Sequence, residues 1–542
     1  MITISPLIFF PLLYAETHYR FKYFISFLRK AEPEILADIP HRLEPGVSLP
    51  VLLLVKDSHQ YPIENVHVRI ELRQGNKTYG VVKRDIAGSI SEPLWWRVVS
   101  VQFENDAKDL SQFVEVDVYI EYVVNGKQRT CKNDNYRTSS KRSLRVFRSD
   151  VRLPVLPGWA LGDTHTHSSH TDDQVEFGSP IEASVELSRA MGLSYFCVTD
   201  HSYDLDDRID NYLLNDPDLP KWKLQQAEID SINSRAQDFA VIRGEEVSCF
   251  NHGRRNIHLL LWGTRKYYAG SGDSAEHWFH TNAEHSIRDI LNTLDKDTVA
   301  YAGHPTEPAP FFQWLLIKRG VWDLIDMSEE GLSGIQILNG EENRAFLNGL
   351  ESWKVLLLRG RRIFIAAGDD AHGNFNRFRQ IGIPFFTIRE NGNQLFGKIR
   401  TALRHDILSE QSLLQSLRSG RSAITNGPLI VFEITNEYGA TAFLGGEISG
   451  RRLQLHITGV SSVEFGSFEE VRVIHGKIGT ERELVRARKR FSANVTVDFS
   501  LPMEFPSQNS ASYLRIEGFT CRTKSNERGG FCYTNPIWID HR

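Results

Sequence analysis

Residues 159–167 read Trp-Ala-Leu-Gly-Asp-Thr-His-Thr-His, an apolar run that ends in two histidines two positions apart. Similar short apolar runs recur at 193–199, 240–244, 256–262, 299–303, 334–338 and 363–367, with helix candidates between them such as 180–191 and 221–237. Repeated strand-then-helix units predict a parallel sheet, and this many of them in one stretch predict an α/β domain, a closed or nearly closed β/α barrel over residues 158–427.

The flanks have a different rhythm. Residues 35–148 carry short alternating runs separated by turn residues such as Gln74-Gly75-Asn76 and Asn125-Gly126, which read as an antiparallel β-sandwich. A polar, basic stretch and then Pro154, Pro157 and Gly158 form a linker. From 428 to 542 the helical period stops and a second β-sandwich is expected, closing on Pro536-Ile537-Trp538-Ile539. Residues 1–34 form an apolar to amphipathic segment expected to be helical. Its run ITISPLIFFPLLY is interrupted by Pro6 and Pro11, has no preceding Lys or Arg, and is too short to span a bilayer. The aromatic and basic residues from Tyr19 to Lys30 suit either packing on the body of the protein or peripheral membrane contact.

At 542 residues, with about 150 per domain, the chain has room for three or four domains. A hydrophobic content of 41% and a charged content of 24% exclude a disordered or low-complexity polymer. With 63 basic against 68 acidic side chains the net charge is -5, so nothing suggests that a polyanion is held by charge alone. The run Arg486-Ala487-Arg488-Lys489-Arg490 reads as a solvated strand or loop. Five scattered cysteines, Cys131, Cys197, Cys249, Cys521 and Cys532, form neither a disulfide framework nor a zinc ribbon, and a reducing, cytoplasmic location is expected.

The chemistry gathers at strand ends. His165 and His167, at i and i+2 of an extended chain, share a face as two ligands to one ion require, with Asp172 in the adjoining loop. Thr199-Asp200-His201 ends the second run, Gly244-Glu245-Glu246-Val247-Ser248 the third, and His258 lies within the fourth. Gly303-His304-Pro305 ends the fifth, and Gly368-Asp369-Asp370-Ala371-His372-Gly373 the last. Taken singly, a His-x-His pair is commonly two hydrogen-bonded imidazoles and a Glu after a strand a salt-bridge partner. Their joint occurrence carries the reading of a metal centre, with His165, His167, His201, His304 and His372 as ligands and Asp172, Glu246 and Asp370 beside them. Spacing does not choose between these carboxylates and their neighbours Asp173, Glu245 and Asp369, and His258 reads equally as a substrate contact or a core histidine.

The series DTHTH, TDH, GEEVS, AGHP and GDDAHG, in this order, resembles the polymerase-and-histidinol-phosphatase (PHP) superfamily of metallohydrolases. Residues 420–428 and 534–538 look like its branch of carbaryl-type ester hydrolases. The resemblance implies a distorted seven-stranded β/α barrel that holds two or three divalent metal ions. It implies His165, His167, Asp172, His201, Glu246, His304, Asp370 and His372 as ligands, with Glu246 preferred because the family glutamate directly precedes Val-Ser. The loop Thr171-Asp172-Asp173 departs from the more usual Asp-Gly of the family.

A mixed imidazole and carboxylate set without Cys suits Zn, Mn or Fe. Two such ions sharing a hydroxide suit phosphate mono- or diester hydrolysis, and the expectation is a metal-dependent phosphoesterase acting on a small molecule. Asp200 or His258 would orient substrate or protonate the leaving group, and Arg377 and Arg379 would clamp phosphate, with Arg254 and Arg255 weaker candidates. The insertion bearing Phe311, Phe312, Trp314 and Trp322 would cap the mouth or pack in the core. Two other readings stand beside this one: a carboxyl or carbamate ester hydrolase using the same metals, and a non-catalytic scaffold whose barrel is vestigial.

Overall fold

The computed structural model describes residues 32–103, 112–135, 142–171, 178–209, 211–272, 274, 281–376, 380–383, 386–389, 394–505 and 511–540. The segment 1–34 lies outside them apart from residues 32–34. No helix of the described residues is long and apolar enough to cross a membrane.

Up to residue 148 the chain forms two sheets. A three-stranded antiparallel sheet joins Glu34–Asp38, Leu49–Lys56 and Leu94–Val101, and a six-stranded sheet is built around Phe113–Val124. The alternation of that central strand is the cause: Val114, Val116, Val118, Ile120, Tyr122 and Val124 all point into one apolar core. At about 1.5–3 kcal/mol for each large apolar side chain removed from water, this burial holds the two sheets together. Asn125 and Gly126, both at positive φ (52° and 72°), make the two-residue turn that pairs Phe113–Val124 with Lys127–Lys132.

The middle of the chain supplies β1 (Trp159–Thr166), β2 (Tyr195–Val198), β3 (Ala240–Phe250), β4 (Asn256–Trp262), β5 (Val299–Ala302), β6 (Gly334–Asn339), β7 (Phe364–Gly368), β8 (Arg400–Arg404) and β9 (Ser422–Thr425). Further on come β10 (Phe468–Lys477), β11 (Leu484–Asn494), β12 (Ser512–Thr520) and β13 (Phe531–Thr534). All belong to one fifteen-stranded sheet whose path runs β7-β6-β5-β4-β3-β2-β1-β8-β9-β13-β12-β10-β11.

This corrects the expected architecture of a seven-stranded β/α barrel flanked by separate sandwiches. The chain is 46% strand and 15% helix, and the sheet is mixed and runs without a break from the middle region into the last strands. β1/β2, β2/β3, β5/β6 and β6/β7 are parallel, whereas β3/β4, β4/β5, β1/β8 and β8/β9 are antiparallel. The reason is visible between β3 and β4, where only residues 251–255 connect the strands. A parallel crossover needs about a dozen residues, so this connection can only be a hairpin. Among the described strands β7 pairs with β6 alone. Its outer edge is instead met by Asn535, whose side chain accepts from Ile365 N (2.9 Å) and donates to Ser422 Oγ (2.7 Å).

β7 nevertheless curls back against β1. Thr164 Oγ1 donates to Ala367 O at 2.9 Å, Asp370 N to His165 O at 2.8 Å and His167 N to Ala371 O at 2.9 Å. Gly368 permits the approach, since a Cβ there would stand 2.7 Å from both His165 N and His165 Cβ. Beyond β9 a four-stranded sheet (Leu429–Asn436, Thr441–Phe443, Arg452–Val460 and Thr496–Glu504) shares its core with β10 and β12 through Ile430, Phe432, Leu455, Val471, Leu514 and Ile516.

One buried guanidinium ties the regions together. Arg42, from the N-terminal sheets, donates to Glu464 (Nε–Oε1 2.9 Å, Nη2–Oε2 3.0 Å), to Glu44 Oε1 (2.6 Å), to Met191 O (2.8 Å) and to Val151 O (2.9 Å). Arg42→Met leaves Glu464 buried without its partner and is expected to lower stability by about 3–5 kcal/mol, read as a shift of the urea unfolding midpoint.

Candidate metal centre

The centre is assembled where β1, β2, β3, β4, β5 and β7 bring their polar residues together. Strand pleating puts the adjacent Glu245 and Glu246 of β3 on opposite faces. Glu246 points inward, and five imidazoles reach its oxygens: His258 Nδ1 at 2.5 Å, His201 Nδ1 and His304 Nε2 at 3.1 Å, His165 Nε2 at 3.3 Å and His167 Nε2 at 3.4 Å. Glu245 faces the other way, accepting from Tyr268 N (2.9 Å) and Ser202 Oγ (3.0 Å), and burial pushes its carboxyl up to about 8. Asp370 likewise faces the cluster, 3.1 Å from His167 Nε2 and 3.3 Å from His165 Nε2. Asp369 turns away to accept from Ile399 N at 2.9 Å.

The imidazoles are held in fixed orientations. His165 Nδ1 donates to Gln336 Oε1 (2.8 Å) and His372 Nδ1 to Asp370 O (3.1 Å), which turns the Nε2 of each toward the centre. The His167 and His372 rings stack at 4.0 Å. His304 (φ 26°) and Asp370 (φ 54°) occupy the left-handed region, where side chains other than glycine are uncommon, a strain that concentrates at functional sites.

The electrostatics follow from packing these charges in a dry place. Burial works against charge on Glu246 and Asp370. His258 and His165 hold the first carboxyl well below the usual range, and His165 and His167 do the same for the second. Burial also acts to lower His165, but Asp370 and Glu246 outweigh it and raise the imidazole to about 9.

Whether this donor set fits divalent ions can be tested on its own atoms. His201 Nε2 is buried without a hydrogen-bond partner among the described residues, and Glu246 Oε2 stands within ion-pair distance of His165 Nε2 and His201 Nδ1 without the geometry of a hydrogen bond. Three groups of donor atoms lie mutually within 4.8 Å: His167, His201 and His372; His165, His167, Glu246 and Asp370; and His201, Glu246 and His258. Buried, convergent, unsatisfied donors of the imidazole and carboxylate classes fit transition metals, and sharing of residues between the groups fits more than one ion.

Of the residues expected from sequence, His165, His167, His201, Glu246, His304, Asp370, His372 and His258 come together here. Asp172, Arg377 and Arg379 lie outside the described residues. Asp200, expected to orient substrate or protonate the leaving group, is buried beside the cluster. Its carboxylate accepts from Ser168 N and Ser168 Oγ (both 2.6 Å), Gln225 Nε2 (2.8 Å) and Thr171 Oγ1 (2.9 Å), which fixes the loop after His167. Arg255 is also drawn elsewhere, donating to Trp314 O at 2.6 Å and lying over its ring, and Trp322 packs in the core with Nε1 donating to His258 O (3.2 Å).

Two residues escaped the sequence reading. Gln336, a buried amide inside the apolar strand β6, could have been found as a polar residue in an otherwise aliphatic run. Arg319 could not, because it lies 61 residues from the histidine it contacts. It is 8% exposed, donates from Nη1 to His258 Nε2 (2.7 Å), and lines a cavity of about 170 Å³ together with His258, His304, Asn339, Glu341 and Asp370.

No protein-family model matches the chain, and no curated protein matches it. Similar solved structures include a β-glucuronidase from Bacteroides uniformis (7% identity, 93% of this chain and 60% of that one, TM-score 0.17). Another is a β-D-mannosidase from Dictyoglomus thermophilum (7%, 92% and 66%, TM-score 0.23), and a third a glycosyl hydrolase family 2 member from Bacteroides cellulosilyticus (12%, 92% and 63%, TM-score 0.17). The chain spans about 60% of the glucuronidase, and likeness at these TM-scores carries no argument about fold or activity.

Glu246→Gln and His167→Ala are each expected to deplete transition metal bound to the purified chain, measured by elemental analysis. Glu245→Gln, on the opposite face of β3, keeps the wild-type content.

Proposed function

We propose that the chain is a metal-dependent hydrolase of phosphate mono- or diesters, as its motif likeness to the PHP superfamily suggests. The observation that carries this reading is the buried Glu246 carboxylate, ringed by five imidazoles of which His258 and His304 line a small cavity together with Arg319 and Asp370. His165, His167, His201, Glu246, His304, Asp370 and His372 would hold the ions. When bound, these would neutralise charge on the ester oxygens and make water a better nucleophile at neutral pH.

The chain's own residues supply the rest. Arg319 presents a guanidinium at the cavity wall, where it donates hydrogen bonds to phosphoryl oxygens and favours an anionic substrate over a neutral ester. His258 sits between Arg319 and Glu246. With Nε2 accepting from the arginine, its Nδ1 carries the proton directed at Glu246, so His258 positions both groups. Gln336 and Asn339 steady the cluster from below, the latter donating to Asp370 Oδ2 at 3.2 Å. Asp200 acts at one remove, through the loop that carries Ser168 and Thr171.

Hydrolysis of nitrophenyl phosphate, bis-nitrophenyl phosphate and nitrophenyl acetate by one metal-loaded preparation tests the reading. A phosphate ester is expected to be the better substrate, and Arg319→Met to lower its kcat/KM by about a hundredfold while metal content stays unchanged. Activity confined to the acetate would point to carboxyl or carbamate ester hydrolysis instead, and failure to bind metal at all would leave a scaffold.

A further inference from the structure

Among the described residues four arginines are buried outside the candidate metal centre, and three of them follow a rule that the fourth does not. Arg42 is met by Glu464 and Glu44, Arg243 by Glu410 and Asp230, and Arg515 by Glu483 and Glu517. Each guanidinium taken out of water has its charge answered by two carboxylates. Arg400 is as deeply buried, at 2% exposed, yet its Nε and Nη1 have no hydrogen-bond partner among the described residues. The carboxylate best placed to answer it, Glu464, is already engaged by Arg42 at 2.9 and 3.0 Å and by Ser149 Oγ at 2.8 Å. What does face Arg400 is the ring of Phe465, 5.7 Å from the guanidinium carbon.

Arg400 lines a cavity of about 400 Å³ between the N-terminal sheets and the C-terminal strands, larger than the one beside the metal centre. Lys398 and Arg528 add positive charge to its wall, and Phe113, Phe147 and Phe465 add aromatic surface. Glu341, Glu342, Glu464 and Glu527 also line it; Glu464 is engaged by Arg42, and Arg528 Nη1 stands 4.0 Å from Glu341 Oε2. Glu464, Asp369 and Glu44 offset part of the charge of Arg400 from a distance, but its Nε and Nη1 stay without an acceptor among the described residues.

We propose that this cavity binds a small organic anion, with a phosphate or carboxylate group on Arg400 and a compact aromatic body against the phenylalanines. A guanidinium is the side chain best suited to oxyanions of either kind, and aromatic walls select a ligand with an apolar face. The site is separate from the metal centre but linked to it through the chain. Arg400 opens β8, which pairs with β1, and the preceding Ile399 N holds Asp369, the neighbour of Asp370.

Isothermal titration of the full chain with phenyl phosphate, benzoate and, as an uncharged control, benzyl alcohol tests the proposal. At least one anion is expected to bind one-to-one, with affinity at least tenfold weaker in Arg400→Gln, about threefold weaker in Arg528→Ala and unchanged in His167→Ala. The alcohol is expected to give no binding. Preference between the two anions tells a phosphate site from a carboxylate site. Equal affinity in the folded Arg400→Gln protein, loss in His167→Ala instead, or no binding of either anion by the wild type overturns it. If Arg400→Gln fails to fold, Arg528→Ala and Phe465→Leu decide, since both must weaken binding if the cavity is occupied as proposed.

Discussion

A carboxylate shut away from water is the constraint around which this molecule is organised. Glu246 is 1% exposed, and an ionised group so placed is tolerated only when opposite charge or strong donors surround it. The chain meets that demand with imidazoles drawn from five different positions, between 165 and 304, so the strands that carry them must converge to tenths of an ångström. Much of the surrounding polar structure serves this end. Gln336 sets the His165 ring, Asp200 sets the loop beyond His167, and Asp163 accepts from His165 N, Asp369 N and Gly397 N, fixing the backbone that carries His165 and Asp370.

The site was more legible in the sequence than the fold. Histidines two apart on a strand must share a face, and that local geometry does not depend on how distant strands are arranged. The pleat also resolves what spacing left open for Glu245 and Glu246, neighbours on β3 that point to opposite sides, whereas Asp369 and Asp370 are parted by the turn past the end of β7. What spacing could not give is a partner delivered by a loop. Arg319 reaches His258 from the far side of an insertion, and nothing in the local pattern around Lys318-Arg319-Gly320 marks it as different from a solvated basic pair.

The architecture misled because hydrophobic runs announce strands without announcing their direction. The runs at 240–244 and 256–262 read as two units of a parallel repeat, whereas β3 extends to Phe250 and leaves too few residues for a crossover. Nor does any local signal say that Ser422–Thr425 continues its ladder into Phe531–Thr534, more than a hundred residues on. Sheet pairing at such separation is decided by the packing of whole surfaces, not by the composition of either strand.

That long-range ladder has a consequence for synthesis on the ribosome. Among the described residues, the edge of β7 away from β6 and the edge of β9 away from β8 meet residues 531–535, through Asn535 and β13. While those residues are still in the exit tunnel, the nascent chain presents open strand edges beside a half-supported cluster of histidines. This is the state in which sheet edges recruit other chains and stray metal ions find unintended ligands. Until Thr534 and Asn535 are in place, the ladder on Ser422–Thr425 and the hydrogen bonds to Ile365 and Ser422 cannot form.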